Sequence, residues 1–241
     1  MTKIKPFVKW AGGKGKLAQV LESHLPQDFD DQNNVTYIEP FVGGGAMMFY
    51  MIEHHPNICR VVINDINKDL IRCYRLIKED PFALIERLRN LETEYYSMGS
   101  ENGRRDYYYA IREAYNGKRI DADERAAQFI FLNRTCFNGL YRENKSGHFN
   151  VPFGRNNKPT ICNEELIIAD HEALSKVEIL NGDYQVITNY LDDRYTFIYL
   201  DPPYRPLLGS SKFGGTQKPF IHRGSQRFRH ISRVQKLPPQ N

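Results

Sequence analysis

Apolar residues along the chain repeat with two periods, and the changes of period mark its elements. Leu17, Val20, Leu21 and Leu25 fall at helical spacing before Pro26. Val35 to Ile38 is β-branched and aromatic, a short buried strand. Gly43-Gly44-Gly45 interrupts the run, and Ala46 to Ile52 resumes as a helix. Val61 to Asp65 predicts a second strand. Leu70, Ile71, Tyr74 and Ile77 then share one face of a helix from about Asn67. Between Pro81 and about Leu174 the pattern is helical, over Phe82–Tyr96, Arg104–Tyr115 and Asp123–Phe137, with Asp121 and Glu124 as a capping pair for the last. Val177–Leu180 is a strand, a helical segment runs to about Leu191, and Tyr195–Leu200 is a final buried strand. Asp201-Pro202-Pro203-Tyr204 ends it, because a proline has no N–H for a central ladder.

Strand, glycine turn, helix and strand in alternation predict an α/β fold with a parallel sheet. Residues 81–174 interrupt that alternation and read as an inserted, mainly helical domain. In such sheets ligands sit at the carboxyl ends of the strands. Asp201 therefore lies where a ligand is expected, with a free backbone carbonyl and an aromatic ring beside it. Those groups suit a flat, amino-bearing ring.

Composition narrows the setting. The chain has 241 residues, ordinary hydrophobic and charged content, and four widely spaced cysteines without a C-x-x-C pair. That speaks against a zinc site or disulfide framework and suits a reducing cytosol. No apolar run approaches the ~18 residues of a membrane span. A cytoplasmic location is expected. The net charge of +4 is unevenly spread. Residues 205–241 hold eight Lys/Arg and no acid, leaving 25 basic and 29 acidic side chains in residues 1–204. Basic character in the body must be judged locally.

Gly12-Gly13 opens a helix and offers backbone N–H groups to an anion, with Trp10 beside it as a stacking surface. The Gly43–Gly45 turn lets a backbone approach a nucleotide-like ligand. It is neither G-x-G-x-x-G nor a P-loop, which disfavours a pyrophosphate. Asp65 lies about 20 residues further on, the position of a ribose-binding acid, or of a cap for the next helix. Residues 133–155 are polar and irregular, with Arg134, Arg142, Lys145, Arg155 and Lys158 opposed only by Glu143. Ser146-Gly147 marks a hairpin tip. Arg and Asn read guanine and adenine edges, and interleaved Phe, Tyr and Leu can wedge between base steps. The tyrosine clusters at 95–96 and 107–109 are read as core.

Four blocks stand in order: Phe7-x-Lys9-Trp-Ala-Gly-Gly-Lys14, Glu39-Pro-Phe-Val-Gly-Gly-Gly45, Asn64-Asp65 and Asp201-Pro-Pro-Tyr204. Between the last two lie Asn138-Gly-Leu-x-Arg142 and Phe149-Asn-Val-Pro-Phe-Gly-Arg155. The set resembles the Dam-type DNA adenine-N6 methyltransferases, the alpha-ordered amino-methyltransferase group, over residues 6 to about 213. The resemblance implies a Rossmann-like sheet, S-adenosylmethionine as methyl donor, and adenine in duplex DNA, within GATC, as acceptor. It implies cofactor contacts at Trp10, Lys14, Glu39, Phe41, Gly43, Asp65, Asp183 and Asp201. Asp201, Pro202 and Tyr204 would form the catalytic set. Lys9, Asn138, Leu140, Arg142 and Pro152 would meet the DNA. No metal is implied, and a cognate restriction endonuclease is a partner at the level of the system.

The implied divisions are 1–80 for the cofactor half, 81–174 for target recognition, 175–208 for a partial catalytic half, and 209–241 for a basic tail. After Leu208 the patterning fades into scattered Arg, Pro, Gly and Gln, a composition read as disordered. The expectation is a frame-shifted, truncated chain with an incomplete sheet and weak or absent methyl transfer. Two other functions are weighed beside the main one: a DNA-binding module without catalysis, and an amino-methyltransferase acting on another acceptor.

Overall fold

The computed structural model of the chain describes residues 3–10, 18–117, 120–156, 158–191 and 195–202. Lys14, the Gly12-Gly13 turn, Pro203, Tyr204 and the basic tail lie outside these. Four parallel strands form one sheet: β1 (Val35–Glu39), β2 (Ile58–Asp65), β3 (Val177–Asn181) and β4 (Thr196–Ile198), in the order β3-β2-β1-β4. β1 is flanked on both sides, with Tyr37 opposite Val61 and Phe197, and Ile38 opposite Val62 and Ile198. The chain winds outward from β1 through β2 to β3, then crosses to the other side of β1 for β4. The reversal opens a crevice at the carboxyl ends of β1 and β4.

Both faces of the sheet are covered, which is why β1 is buried at every position. Tyr37, Val61 and Ile63 point into the large core with Met47 and Met48 of α2 (Ala46–His54) and Leu70 and Tyr74 of α3 (Lys68–Glu79). Ile38 and Val62 point the other way, onto Ile187 of the 3-10 helix Tyr184–Tyr190. The sequence predicts an ordinary helical segment there. Val186, Ile187 and Thr188 are β-branched and resist an α-helix, which fits the tighter form. A short α1 (Ala18–Glu22) precedes β1.

Residues 81–174 form α4 (Pro81–Ser97), α5 (Glu101–Asn116), α6 (Ala122–Thr135) and α7 (Glu164–Leu174). Asp121 caps α6 by accepting from the Asp123 and Glu124 N–H groups, as its spacing predicts. α7 is not predicted. It packs on both α3 and α4 and so lacks a single apolar face to betray it. These helices share one core with the sheet, since Leu84, Tyr95, Tyr108 and Phe131 belong to the cluster that contains Val35. The tyrosines read as core are core at positions 95 and 108. A buried polar knot ties the segment to α3. Arg125 donates to both Asp69 oxygens at 2.9 and 3.0 Å, and the Tyr115 hydroxyl donates to Asp69 Oδ2 at 2.6 Å.

Candidate active site

The carboxyl ends of β1, β2 and β3 are laced together by hydrogen bonds. Asn64 Nδ2 donates to the Pro40 and Gly182 carbonyls, and the Val42 N–H donates to the Asn64 carbonyl. Asp65 then accepts from the Gly43 N–H at 3.0 Å and the Asn67 N–H at 2.8 Å. Burial raises the Asp65 carboxyl above its usual range, and those N–H groups partly offset the rise. The cap of α3 is Asn67, whose Oδ1 accepts from Asp69 and Leu70. Asp65 instead fixes the glycine turn to β2.

Gly43 (φ 49°) and Gly45 (φ 74°) are left-handed, a conformation that side chains disfavour. The turn is also crowded. The Tyr74 hydroxyl donates to the Gly43 carbonyl at 3.0 Å, and a methyl group on Gly43 would stand 2.7 Å from Trp10 Cδ1. Trp10 lies along the turn and stacks on Tyr141 at 5.4 Å and Phe129 at 6.2 Å. It thus joins the glycine turn to residues 136–153.

Across the crevice, the Tyr199 N–H donates to the Ile38 carbonyl, which sets Asp201 beside Glu39. Asp201 is half-buried and Pro202 is exposed. Glu39 is 3% exposed and accepts from the Tyr37 hydroxyl at 2.8 Å. Burial pushes its carboxyl up to about 8, against the Tyr37 hydrogen bond, and the nearby Asp201 charge adds to the rise. A neutral Glu39 near pH 7 spares Asp201 a like-charged neighbour.

Beside the laced strand ends, Phe41 stacks on Tyr184 at 5.8 Å, and Asp183 caps the 3-10 helix through the Gln185 N–H. Ile66 is 73% exposed between Asp65 and Asn67. Two aromatic rings, an aliphatic side chain and exposed Asp183 on one margin fit a purine ring and its amine. Ile66 and Tyr184 escape sequence reasoning, since each borders a recognised residue without a pattern of its own.

Residues 136–153 fold back on themselves. Cys136 bridges Phe153, Glu143 bridges Phe149, and Gly147 (φ 76°) turns the hairpin tip, as predicted. Lys9, Asn138, Leu140, Arg142 and Pro152 come together on this structure. The Pro152 carbonyl accepts from the Phe137 N–H at 2.9 Å, and Arg142 Nε donates to Asn150 Oδ1 at 2.7 Å. Asn138 (φ 55°) is exposed at a turn against which Lys9 packs. Of the interleaved aromatics, Phe137 is 51% exposed while Phe149 is buried. Arg134 does not belong with the free cations. It is partly buried, and its Nη2 donates to the Phe7 carbonyl at 2.6 Å. Arg155 lies 3.7 Å from Glu101, an acid outside the loop.

A parallel sheet that reverses at β1/β4, with an acid at each rim and a polar hairpin alongside, is the setting of an amino-group methyltransferase. Residues 10–233 match the family described as D12 class N6 adenine-specific DNA methyltransferase, and the chain belongs to it. The match extends past Leu208, where the patterning of the sequence fades, and past residue 213, where the resemblance of the motifs ends. Among its relatives, Type II methyltransferase M.MjaIII of Methanocaldococcus jannaschii is 46% identical over 212 residues, 87% of this chain and 72% of that protein. Type II methyltransferase M1.LlaDCHI of Lactococcus lactis subsp. cremoris is 37% identical over 215 residues, 87% of this chain and 69% of that protein. The DNA adenine methylase of Escherichia coli K12 is 34% identical over 218 residues, 88% of this chain and 69% of that protein. Among the described residues no helix is long and apolar enough to cross a membrane.

Proposed function

We propose that the chain transfers a methyl group from S-adenosylmethionine to the N6 amine of adenine in duplex DNA, within GATC, in the cytoplasm. The observation that carries this reading is the pairing of β4 with β1. It sets Asp201 across the crevice from the strand that leads into the glycine turn. When bound, S-adenosylmethionine supplies an electrophilic methyl group. Phe41, Asp183 and Asp65 would hold it along the laced strand ends, with Gly43 and Trp10 at the turn and Glu39 supporting from below. Lys14 completes that set from outside the described residues.

Adenine N6 is a poor nucleophile because its lone pair is delocalised into the ring. The Asp201 carboxylate and Pro202 carbonyl can accept both N–H bonds of a flipped-out base. That favours a tetrahedral nitrogen, a geometry stabilised most in the transition state. Tyr204 stacks on the flipped ring in this reading. Lys9, Asn138, Leu140, Arg142 and Pro152 meet the duplex, with exposed Phe137 placed as a wedge.

The test is transfer of tritiated methyl from S-adenosylmethionine by the full chain to duplexes with and without GATC, and to RNA. Incorporation is expected in the GATC duplex only. Asp201→Ala is expected to lower it by about 100–1,000-fold, the scale of losing a preorganised transition-state contact. Preferential labelling of RNA, or cofactor binding without any labelling of duplex DNA, would overturn the reading.

A further inference from the structure

The segment Lys5–Lys9 is irregular, with a bend at Phe7-Val8, and among the described residues no strand pairs with it. Side chains from two helices take the place of a neighbouring strand, at alternate residues. Asp170 of α7 accepts from the Lys5 N–H at 3.4 Å, Arg134 of α6 donates to the Phe7 carbonyl, and Asn133 of α6 engages Lys9. The Asn133 contact differs from the other two. Its Oδ1 accepts from the Lys9 N–H at 2.8 Å, and its Nδ2 donates to the Lys9 carbonyl at 2.8 Å and to the Gly139 carbonyl at 3.1 Å. One buried amide, 1% exposed, thus holds the backbone of Lys9 and the turn that carries Asn138.

Only a carboxamide offers one acceptor and two donors in a single plane. An aspartate would keep the acceptor and lose both donors. A leucine would leave three backbone groups unpaired. The chain uses the same device once more. Asn116 accepts from the Phe149 N–H at 2.8 Å and donates to the Phe149 carbonyl at 3.0 Å, and among the described residues it reaches no second segment. The two parts held by Asn133 also touch directly. Gly139 (φ 63°) approaches Lys9 so closely that an added methyl group would lie 2.6 Å from Lys9 Cβ.

We propose that Asn133 is a positioning residue for sequence discrimination: it fixes the spacing of Lys9 and the Asn138–Leu140 turn, so that both read one DNA site in register. This rests on the reading of Lys9 and Asn138 as DNA-contacting residues. Asn133 itself is buried and touches no DNA. Its effect is on which bases the two exposed elements accept together, not on the strength of phosphate contacts.

The experiment measures binding of the full chain to a labelled GATC duplex and to duplexes with one base pair of the site replaced. S-adenosylhomocysteine binding is measured in parallel. Asn133→Ala is expected to lower the ratio of cognate to altered affinity about tenfold, the scale of one or two lost hydrogen bonds. S-adenosylhomocysteine affinity should stay within about twofold, and adding Lys9→Ala should cost little more discrimination. Gly139→Ala perturbs the same spacing from the surface, and it decides the matter alone if Asn133→Ala does not fold. If Lys9→Ala and Asn138→Ala lower discrimination while Asn133→Ala and Gly139→Ala do not, the positioning role is wrong and the reading of the interface stands. If Lys9→Ala and Asn138→Ala change nothing, the reading fails and the positioning role fails with it. An equal loss of S-adenosylhomocysteine affinity in Asn133→Ala and Gly139→Ala would mark a general structural defect and overturn the proposal.

Discussion

The strand ends around Asp65 and the hairpin around Arg142 lie on opposite sides of Trp10 and are built in opposite ways. At the strand ends the backbone around the working groups is drawn tight by Asn64, Asp65 and Tyr74, with glycines where no side chain fits. At the hairpin the working groups are mostly exposed side chains, hung from α5 by Tyr108, Arg112 and Asn116 and from α6 by Asn133. A site that must admit one small molecule gains from a rigid backbone cradle. A surface that reads a base sequence needs side chains that differ in chemistry while the frame beneath them stays fixed. Substitutions at the strand ends should therefore damage stability and ligand binding together, and those on the hairpin should alter DNA binding in a protein that stays folded.

The largest expected effect is at the cradle. Gly45→Ala forces a side chain into a left-handed turn and against the Tyr74 hydroxyl, which should cost about 2–4 kcal/mol in denaturant unfolding. Cofactor affinity should fall with it. A fully stable variant that binds S-adenosylhomocysteine normally would break the contrast from the cradle side.

A smaller effect belongs to the segment that joins the two regions. Burial pushes the Asp170 carboxyl up to about 8, although the Lys5 N–H and the Lys5 and Arg134 charges lower it. An unfolded aspartate titrates near ~4, so between about pH 4 and 8 the folded state holds more protons and stability falls as pH rises. Glu39, also raised to about 8, adds a slope of the same sign. Asp170→Asn should flatten the loss between about pH 5 and 8.5 by about 1–3 kcal/mol, leaving the Glu39 part. An unchanged pH–stability curve in the variant would count against a protonated Asp170.

The smallest effect sharpens the hairpin side. Arg142 is exposed and bonds Asn150 within the hairpin. Arg142→Ala should leave the unfolding midpoint almost unchanged. DNA affinity should weaken about tenfold with relaxed preference at one base, or lower the salt slope by about 1 if the contact is to phosphate. A stability loss as large as that of Gly45→Ala would erase the difference between the regions.

The strand ends were more legible than the hairpin's supports, and the reason is the range of the forces. β1, β2 and the glycine turn are set by neighbours in sequence, so their residue types announce them. The order of motifs then placed Asp65 and Asp201 at strand ends. β2 begins three residues before its predicted start, because Cys59 and Arg60 are partly exposed and hide the buried Ile58. Arg134 resembles its basic neighbours in the sequence. Only the Phe7 carbonyl and Asp170, both remote in sequence, set it apart as a partly buried, bonded residue. Asn133 is less legible still, since its meaning lies in two backbone segments that no local pattern connects to it. The resemblance between motif blocks says which residues recur together and is silent about what holds them apart at the right distance.

The side-chain clamps on residues 5–9 also set an order of events in time. Lys5 and Lys9 are synthesised well before their partners, which follow 165 and 124 positions later. At ~5–20 residues per second the chain waits about 8–33 s for the Asp170 end of that set. Asn133 and Arg134 come earlier and can engage Lys9 and Phe7 before Asp170 closes on Lys5. Residues 5–9 are thus fixed long after they are made, the Lys9 end once Asn133 is in place and the Lys5 end only with Asp170.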